Sequence, residues 1–218
     1  MGSRVDPKLI PKRPNFAIER KLWKSGIEII AGLDEAGRGA LAGPVAAGAV
    51  VFANDGRAFR KLVGVRDSKQ INQAKREYWR EKIEAYCLAW SVGMASSAEI
   101  DQWGIIFATQ LAMDRALQQI ILKIEHLLVD ALVLPENSIP QTMLLKGDQR
   151  SLSIAAASIF AKTSRDQTMV ELHESFPEYG FAQHKGYGTR MHRGQLADQG
   201  ASDVHRKSFK WKTEDLER

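Results

Sequence analysis

One stretch constrains the fold more than any other. Across residues 86–95, Tyr86, Leu88, Trp90, Val92 and Met94 alternate with Cys87, Ala89, Ser91, Gly93 and Ala95. That strict period of two is a β-strand with large side chains on one face and small ones on the other. Helical periodicity surrounds it, over 69–85 with Ser68 as cap and over 98–126 with Ser97 as cap. Further strands are predicted at 27–33, 44–52, 127–134 and 142–146, and a second long helix from Arg150 to about Phe176. Short helices are expected at 16–24 and near 189–198. Strands first and then strand–helix alternation predict an α/β chain, a mixed β-sheet flanked by helices. It divides into an N-terminal arm (1–24), a main domain (25–190) and a small C-terminal helical, basic appendage (191–218) packed on the same domain.

Charge is unevenly spread. The 218 residues carry 31 Lys and Arg against 26 Asp and Glu. Residues 1–24 hold seven cations against two acids and residues 183–218 hold eight against five, which leaves three acids in excess over 25–182. Basic ends around an acidic centre suit a polyanion gripped at its edges, with cations in the middle; solvated tails would look the same. The single cysteine, Cys87, removes any disulfide framework or thiolate metal knuckle and points to a reducing, cytoplasmic compartment. Apolar runs such as 45–53 fall well short of the roughly 18 residues that span a bilayer, so no membrane partner is expected.

Four carboxylates are out of place. Asp130 interrupts Leu127, Leu128, Val129 and Ala131 to Leu134, a run that otherwise favours burial. An unpaired buried carboxylate costs several kcal/mol, so it must be paired, protonated or bound to a cation. Asp34 and Glu35 end the first apolar strand. Adjacent strand residues face opposite sides, so both serve one site only where the strand is stopping, as Gly37 and Gly39 suggest; an ordinary acidic turn is the alternative. Asp148 precedes the second long helix, where an N-cap would explain it without chemistry. Taken together, acids at three strand ends or strand–helix junctions mark the place where sites in α/β folds gather. Oxygen-only ligands suit Mg²⁺ or Mn²⁺ rather than zinc. Such a set beside a polyanion suggests two-metal phosphodiester hydrolysis, one ion activating water and the other stabilising the leaving oxygen. His126, His173, His184, His192 and His205 show no metal-ligand spacing.

Residues 37–42 match a GxGxxA dinucleotide pattern, yet an apolar strand rather than a helix follows, so no pyrophosphate site is expected. Close approach of bare backbone to a sugar–phosphate chain is the better use of Gly37, Arg38 and Gly39. Tyr187 sits between Gly186 and Gly188, flanked by His184 and Lys185; it could stack on a base or sugar, or simply anchor a loop. Lys69, Lys162 and Arg165 offer phosphate contacts.

These segments together resemble the type 2 ribonucleases H, the bacterial ribonuclease HII family. The match runs in collinear order from about residue 15 to 210. It takes in 32–39 (GLDEAGRG), 41–45 (LAGPV), 67–69 (DSK), Val129-Asp130, 146–148 (KGD), 153–158 (SIAAAS), 184–189 (HKGYGT) and 205–209 (HRKSF). The resemblance implies a ribonuclease H-like mixed sheet and metal-dependent endonucleolytic cleavage of RNA paired with DNA, including cleavage 5′ to single ribonucleotides in duplex DNA, with 3′-hydroxyl and 5′-phosphate products. It places the family's four acids on Asp34, Glu35, Asp130 and Asp148, as catalytic residues and metal ligands. Its junction-reading backbone falls on Gly37, Arg38 and Gly39, its partner tyrosine on Tyr187 and a phosphate-contacting lysine on Lys69. A monomer acting on RNA–DNA hybrids and ribonucleotide-containing duplexes is implied. Ala131 departs from the pattern, since many bacterial members have glycine there. Two rivals remain at this level: a DNA nuclease on the same scaffold and a non-catalytic nucleic-acid-binding module.

Overall fold

The computed structural model describes residues 6, 10–65 and 71–211. Helix α1 (Ala17–Lys24) leads into strand β1 (Ile30–Ala36), followed by β2 (Val45–Val51), a short α2 (Arg57–Lys61), α3 (Gln73–Tyr86) and β3 (Ala89–Ala95). Then come α4 (Ser97–Gln118), β4 (His126–Asp130), β5 (Gln141–Leu144), α5 (Leu152–Ser175), α6 (Phe181–His184) and α7 (Arg190–Gln199). The five strands among the described residues form one mixed sheet in the order β3-β2-β1-β4-β5. β1 is antiparallel to β2, and β2 to β3; β1–β4 and β4–β5 are parallel. The expected mixed sheet flanked by helices is thus present. Among the described residues no helix is long and apolar enough to cross a membrane.

The large-and-small alternation in β3 has a packing cause. Its small face (Ala89, Ser91, Gly93, Ala95) meets α4, and a Cβ on Gly93 would stand 2.1 Å from the Ala112 carbonyl oxygen. Ser91 Oγ, buried in that contact, donates to Ala116 O at 2.7 Å. The large face meets α5, where the Trp90 and Phe160 rings stack at 4.4 Å. The sheet is therefore covered on both sides. Ala31, Leu33, Ala47 and Val129 pack under α4, while Val50, Phe52, Ala157 and Phe160 share the α5 side with Phe16.

Several boundaries differ from expectation. Tyr86 and Cys87 alternate like strand residues, yet Tyr86 closes α3 and Cys87 is its C-cap. That helix is capped by Asn72, whose side chain accepts from Lys75 N; the expected cap, Ser68, lies outside the described residues, as does Lys69. α4 is capped one residue earlier than expected, by Ser96, in a reciprocal capping box with Glu99. β1 begins three residues later than expected and runs through Asp34 and Glu35. β4 stops at Asp130 rather than at 134, because Ala131 adopts φ 47°, which no strand can continue.

Candidate active site

Strand register brings two of the acids side by side. The β1–β4 pairing runs from Ile30↔His126 to Leu33↔Val129, so the next residue on each strand is an aspartate, Asp34 and Asp130. Both point to the α5 face, the face of Gly32 and Leu128. Asp148 arrives from the next strand over. β4–β5 pairing places Leu144 beside Asp130, and Lys146 at φ 54° then turns the chain into a single 3₁₀ turn, Gly147–Gln149. Gly147 N donates to Asp130 Oδ1 at 2.6 Å, tying the turn to the strand end. A Cβ at Gly147 would lie 2.6 Å from Ile154 Cδ1 and 3.2 Å from that same Oδ1, so a side chain there would have to displace the tip of Ile154 and crowd Asp130. The helix-cap explanation of Asp148 fails. The cap of α5 is Ser151, whose Oγ accepts from Ile154 N at 3.2 Å, and Asp148 is buried without that duty.

Asp34 reports on the whole cluster. Burial is the first cause that raises its carboxyl well above the usual range; the charges of Glu35, Asp130 and Asp148 push it the same way, and the Ser158 hydroxyl offsets part of the rise. One carboxyl therefore feels all three other acids, far apart in sequence and gathered at the carboxyl ends of β1 and β4. Regular pleating puts Glu35 on the opposite face, but β1 ends one residue later at Ala36, and its charge remains the second-largest influence on Asp34.

The oxygens divide into engaged and open ones. Asp34 Oδ1 accepts from Glu35 N at 2.7 Å, and Glu35 Oε1 accepts from Arg38 Nη1 at 3.2 Å. Asp34 Oδ2 and Glu35 Oε2 are buried without a hydrogen-bond partner. Among the described residues no group of three or more His, Cys, Asp or Glu side chains is placed so that it could hold a metal ion as it stands; Asp34 and Asp130 accept from backbone N–H groups and Glu35 from Arg38 instead. Orphaned anionic oxygens in a field of like charge are nonetheless what a hard divalent cation would relieve, and the donor set is all oxygen. The donor chemistry, rather than the present side-chain placement, fits such an ion.

Beside the acids stands the glycine loop. No helix follows Gly39, in keeping with the rejection of a dinucleotide site; Ala40 bridges to Tyr187, and Leu41 N and Ala42 N both donate to Gly186 O, at 2.8 and 3.3 Å. Gly37, Arg38, Gly39 and Tyr187 are thus joined in one wall. Gly37 adopts φ 92° with Arg165 packed against it, whereas a Cβ on Gly39 would meet nothing within 4 Å. The exposed backbone there faces open space. Lys162 Nζ and Arg165 Cζ lie 5.5 and 5.3 Å from the half-buried Tyr187 ring centroid.

Two arginines hold this loop, and sequence reasoning did not find that role. Arg165, expected as a phosphate contact, is fully buried and donates to Pro44 O, Ala42 O and Lys185 O. Arg206, equally buried, donates to Gly43 O, Pro44 O and Arg38 O. Runs of backbone carbonyls offered to a planar guanidinium leave no mark in sequence beyond the arginine itself. His184, His192 and His205 are likewise structural. Their rings cluster under Phe181, and burial first of all pushes His192 and His205 down to about 4.

A mixed sheet flanked by helices with acids at adjacent strand ends defines an α/β protein that works at its carboxyl-end crevice. The Ribonuclease HII family model matches residues 31–212. A Ribonuclease HII of Geobacillus thermodenitrificans is 50% identical over 191 residues, 88% of this chain and 72% of that protein. One from Chloroflexus aurantiacus is 47% identical over 199 residues, 90% and 93% of the two chains. Among solved structures, the ribonuclease H2 of Pyrococcus horikoshii superposes with a TM-score of 0.69 at 25% identity, covering 87% of this chain and 97% of that one. The chain belongs to the ribonuclease HII family. It is an endoribonuclease of RNA–DNA hybrids, a ribonuclease H.

Proposed function

We propose that Asp34, Glu35, Asp130 and Asp148 are the catalytic acids and hold Mg²⁺ or Mn²⁺ against the phosphate 5′ to a ribonucleotide. The observation that carries this is Asp34: buried, hemmed by three carboxylates and with an oxygen left unpartnered. Divalent ions bound there would supply an activated water and charge stabilisation for the leaving oxygen. Two ions serve this reading best, because four carboxylates overcompensate one. A fold neighbour, the ribonuclease HIII called Bst-RNase HIII, has been solved in complex with Mn²⁺.

The protein's own residues then do three things. Gly147 N–H orients Asp130 by holding Oδ1. Arg38 steadies Glu35. Gly39, bare and exposed, lets backbone approach a ribose 2′-hydroxyl, while Tyr187 stacks on the neighbouring deoxyribose. Lys69 would contact a phosphate. The chemistry resides in residues 25–190, with Arg206 of the following segment bracing the glycine loop. The protein acts as a monomer in the reducing cytoplasm; its lone thiol, Cys87, pushed up to about 11 by burial, is unreactive there.

The test uses duplexes with zero, one or several ribonucleotides, incubated with Mg²⁺, Mn²⁺ or chelator. Cleavage 5′ to the ribonucleotide, lost with chelator and lowered by orders of magnitude in Asp130→Asn with duplex binding retained, is the expected result. Full activity of Asp130→Asn would overturn the site, and equal cutting of all-DNA duplex would overturn the reading of the 2′-hydroxyl.

A further inference from the structure

We propose that His205 and His192 are positioning residues for Tyr187. A one-way chain of hydrogen bonds through their rings aims the tyrosine, and so sets how well the site reads the junction between a ribonucleotide and the deoxyribose beside it. This deepens the reading of Tyr187 given above and rests on it.

The direction of the chain is forced at both ends. His192 Nδ1 lies 3.0 Å from Tyr187 O; a carbonyl only accepts, so that nitrogen carries the proton. At the far end Ser202 N donates to His205 Nδ1 at 3.0 Å. A backbone N–H only donates, so His205 is protonated on Nε2 instead. Between the two ends His192 Nε2 and His205 Nε2 stand 3.0 Å apart. Such a contact takes one proton, since two would clash and none would set lone pair against lone pair. The end partners supply that single proton, on His205. Both rings are neutral and buried, burial first of all having pushed each down to about 4.

The chain completes the hold on Tyr187. Leu41 N and Ala42 N donate to Gly186 O, which fixes the peptide unit before the tyrosine. His192 Nδ1 and, at 2.8 Å, Thr189 N donate to Tyr187 O, which fixes the peptide unit after it. With both planes held, the backbone dihedrals of Tyr187 and the direction of its Cα–Cβ bond are set. Thr189 belongs to the same loop as the tyrosine, whereas His205 belongs to the segment that grips the glycine loop. Ala42 pairs with His205 in an antiparallel bridge, Gly43 N donates to Val204 O at 2.8 Å, and Arg206 donates to the carbonyls of Arg38 and Gly43. One short stretch, 204–206, therefore holds the glycine wall with its backbone and Arg206 and the tyrosine wall through the His205 ring.

The experiment compares kcat/KM on a single-ribonucleotide duplex with kcat/KM on an RNA–DNA hybrid, where a ribose replaces the deoxyribose beside Tyr187. His205→Phe, which keeps a ring and removes the chain, should lower the ratio of the two by about tenfold, the worth of one neutral hydrogen bond. His205→Gln, whose amide still donates toward His192 Nε2, should restore most of the ratio. Tyr187→Ala should lower the ratio as well, and adding His205→Phe to it should lower it no further. A residue that served folding alone would depress both substrates together and add to Tyr187→Ala. Nitrogen NMR of the imidazole rings in the unsubstituted, full-length protein provides a second measurement: His192 should be protonated on Nδ1 and His205 on Nε2. The opposite tautomer at either ring, or an unchanged ratio in His205→Phe where Tyr187→Ala lowers it, would overturn the proposal. An unchanged ratio in Tyr187→Ala would overturn the tyrosine's reading of the deoxyribose, and with it the use of the chain, while the tautomers stayed as stated.

Discussion

Gly48 offers the sharpest test of how packing builds the site. It pairs with Asp34 across β1–β2, and a Cβ added there would stand 2.3 Å from the Ala157 carbonyl oxygen, 3.0 Å from its carbon and 3.2 Å from its Cα. These are helix backbone atoms, not the end of a side chain that could swing aside. To restore an ordinary contact of at least 3.4 Å, α5 must retreat from the sheet by about 1 Å. Gly48→Ala should then cost about 1–3 kcal/mol, as overpacking does, and lower Tm by roughly 2–12 °C for a domain of this size. α5 also carries Ser158, beside Asp34. A displacement of about 1 Å at a reacting centre costs on the order of 10²-fold in rate, so kcat/KM on a single-ribonucleotide duplex should fall by about that factor at temperatures where the variant remains folded. Gly194→Ala is the control: a Cβ there meets nothing within 4 Å on an α-helix, and it should stabilise by roughly 1 kcal/mol. A melt of Gly48→Ala within about 1 °C of wild type, with activity within twofold, would refute the claim that α5 sits on glycine-thin sheet to reach the acids.

Ala131 holds φ 47° immediately after Asp130, so Ala131→Gly should raise stability by roughly 1 kcal/mol; an unchanged or lowered denaturant midpoint would contradict the strained conformation. The buried Glu19 accepts from Ser151 Oγ at 2.6 Å and Ser153 N at 3.1 Å, so Glu19→Ala should cost about 1–3 kcal/mol by orphaning both donors, checked by chemical denaturation. The raised carboxyl of Asp34 means that, in metal-free protein, the folded state keeps a proton which the unfolded state releases from its ordinary value of 3.8 upward; stability should fall as pH rises from there, by at most about 1.4 kcal/mol per unit. Asp34→Asn, unable to ionise, should be more stable than wild type at pH 8, with the difference shrinking toward pH 5 while cleavage is lost at both, and a constant difference in melting temperature across that range would count against the assignment.

Much of this arrangement was legible because it breaks a pattern. Asp130 stands out in an apolar run of which Leu127 to Val129 are buried as expected; past it Ala131 and Val133 are exposed, so the acid ends the buried stretch rather than interrupting it. The β3 alternation was visible because one residue type per face is what two different helix distances demand. Other features were hidden for physical reasons. Tyr86 and Cys87 continue the period of two by coincidence, since a helix C-terminus places no rule on that spacing. Asp148 and Ser151 are both good caps three residues apart, and only the backbone decides that Ser151 serves α5. Arg165 looked like a phosphate contact because a sequence shows a cation's charge and not the carbonyls it faces. Glu19 gave no signal at all: a lone acid in a short basic helix reaches the N-terminus of α5 only through tertiary packing.

The acids also argue for function by what they cost. Asp34 Oδ2 and Glu35 Oε2 are buried carboxyl oxygens with no hydrogen-bond partner, and each unsatisfied buried acceptor costs about 1–3 kcal/mol. Asparagine or a small apolar residue at position 34 would remove both the desolvation and the repulsion from Glu35, Asp130 and Asp148. A purely structural role is therefore a poor account of an aspartate here, since nearly any neutral side chain of its size would fold better. Among the described residues Arg38, partly exposed, meets Glu35 at 3.2 Å, and the two buried arginines spend their donors on loop carbonyls. Positive charge would relieve the push that Glu35, Asp130 and Asp148 exert on Asp34, and in the neighbouring loop a Cβ at the exposed Gly39 would meet nothing within 4 Å.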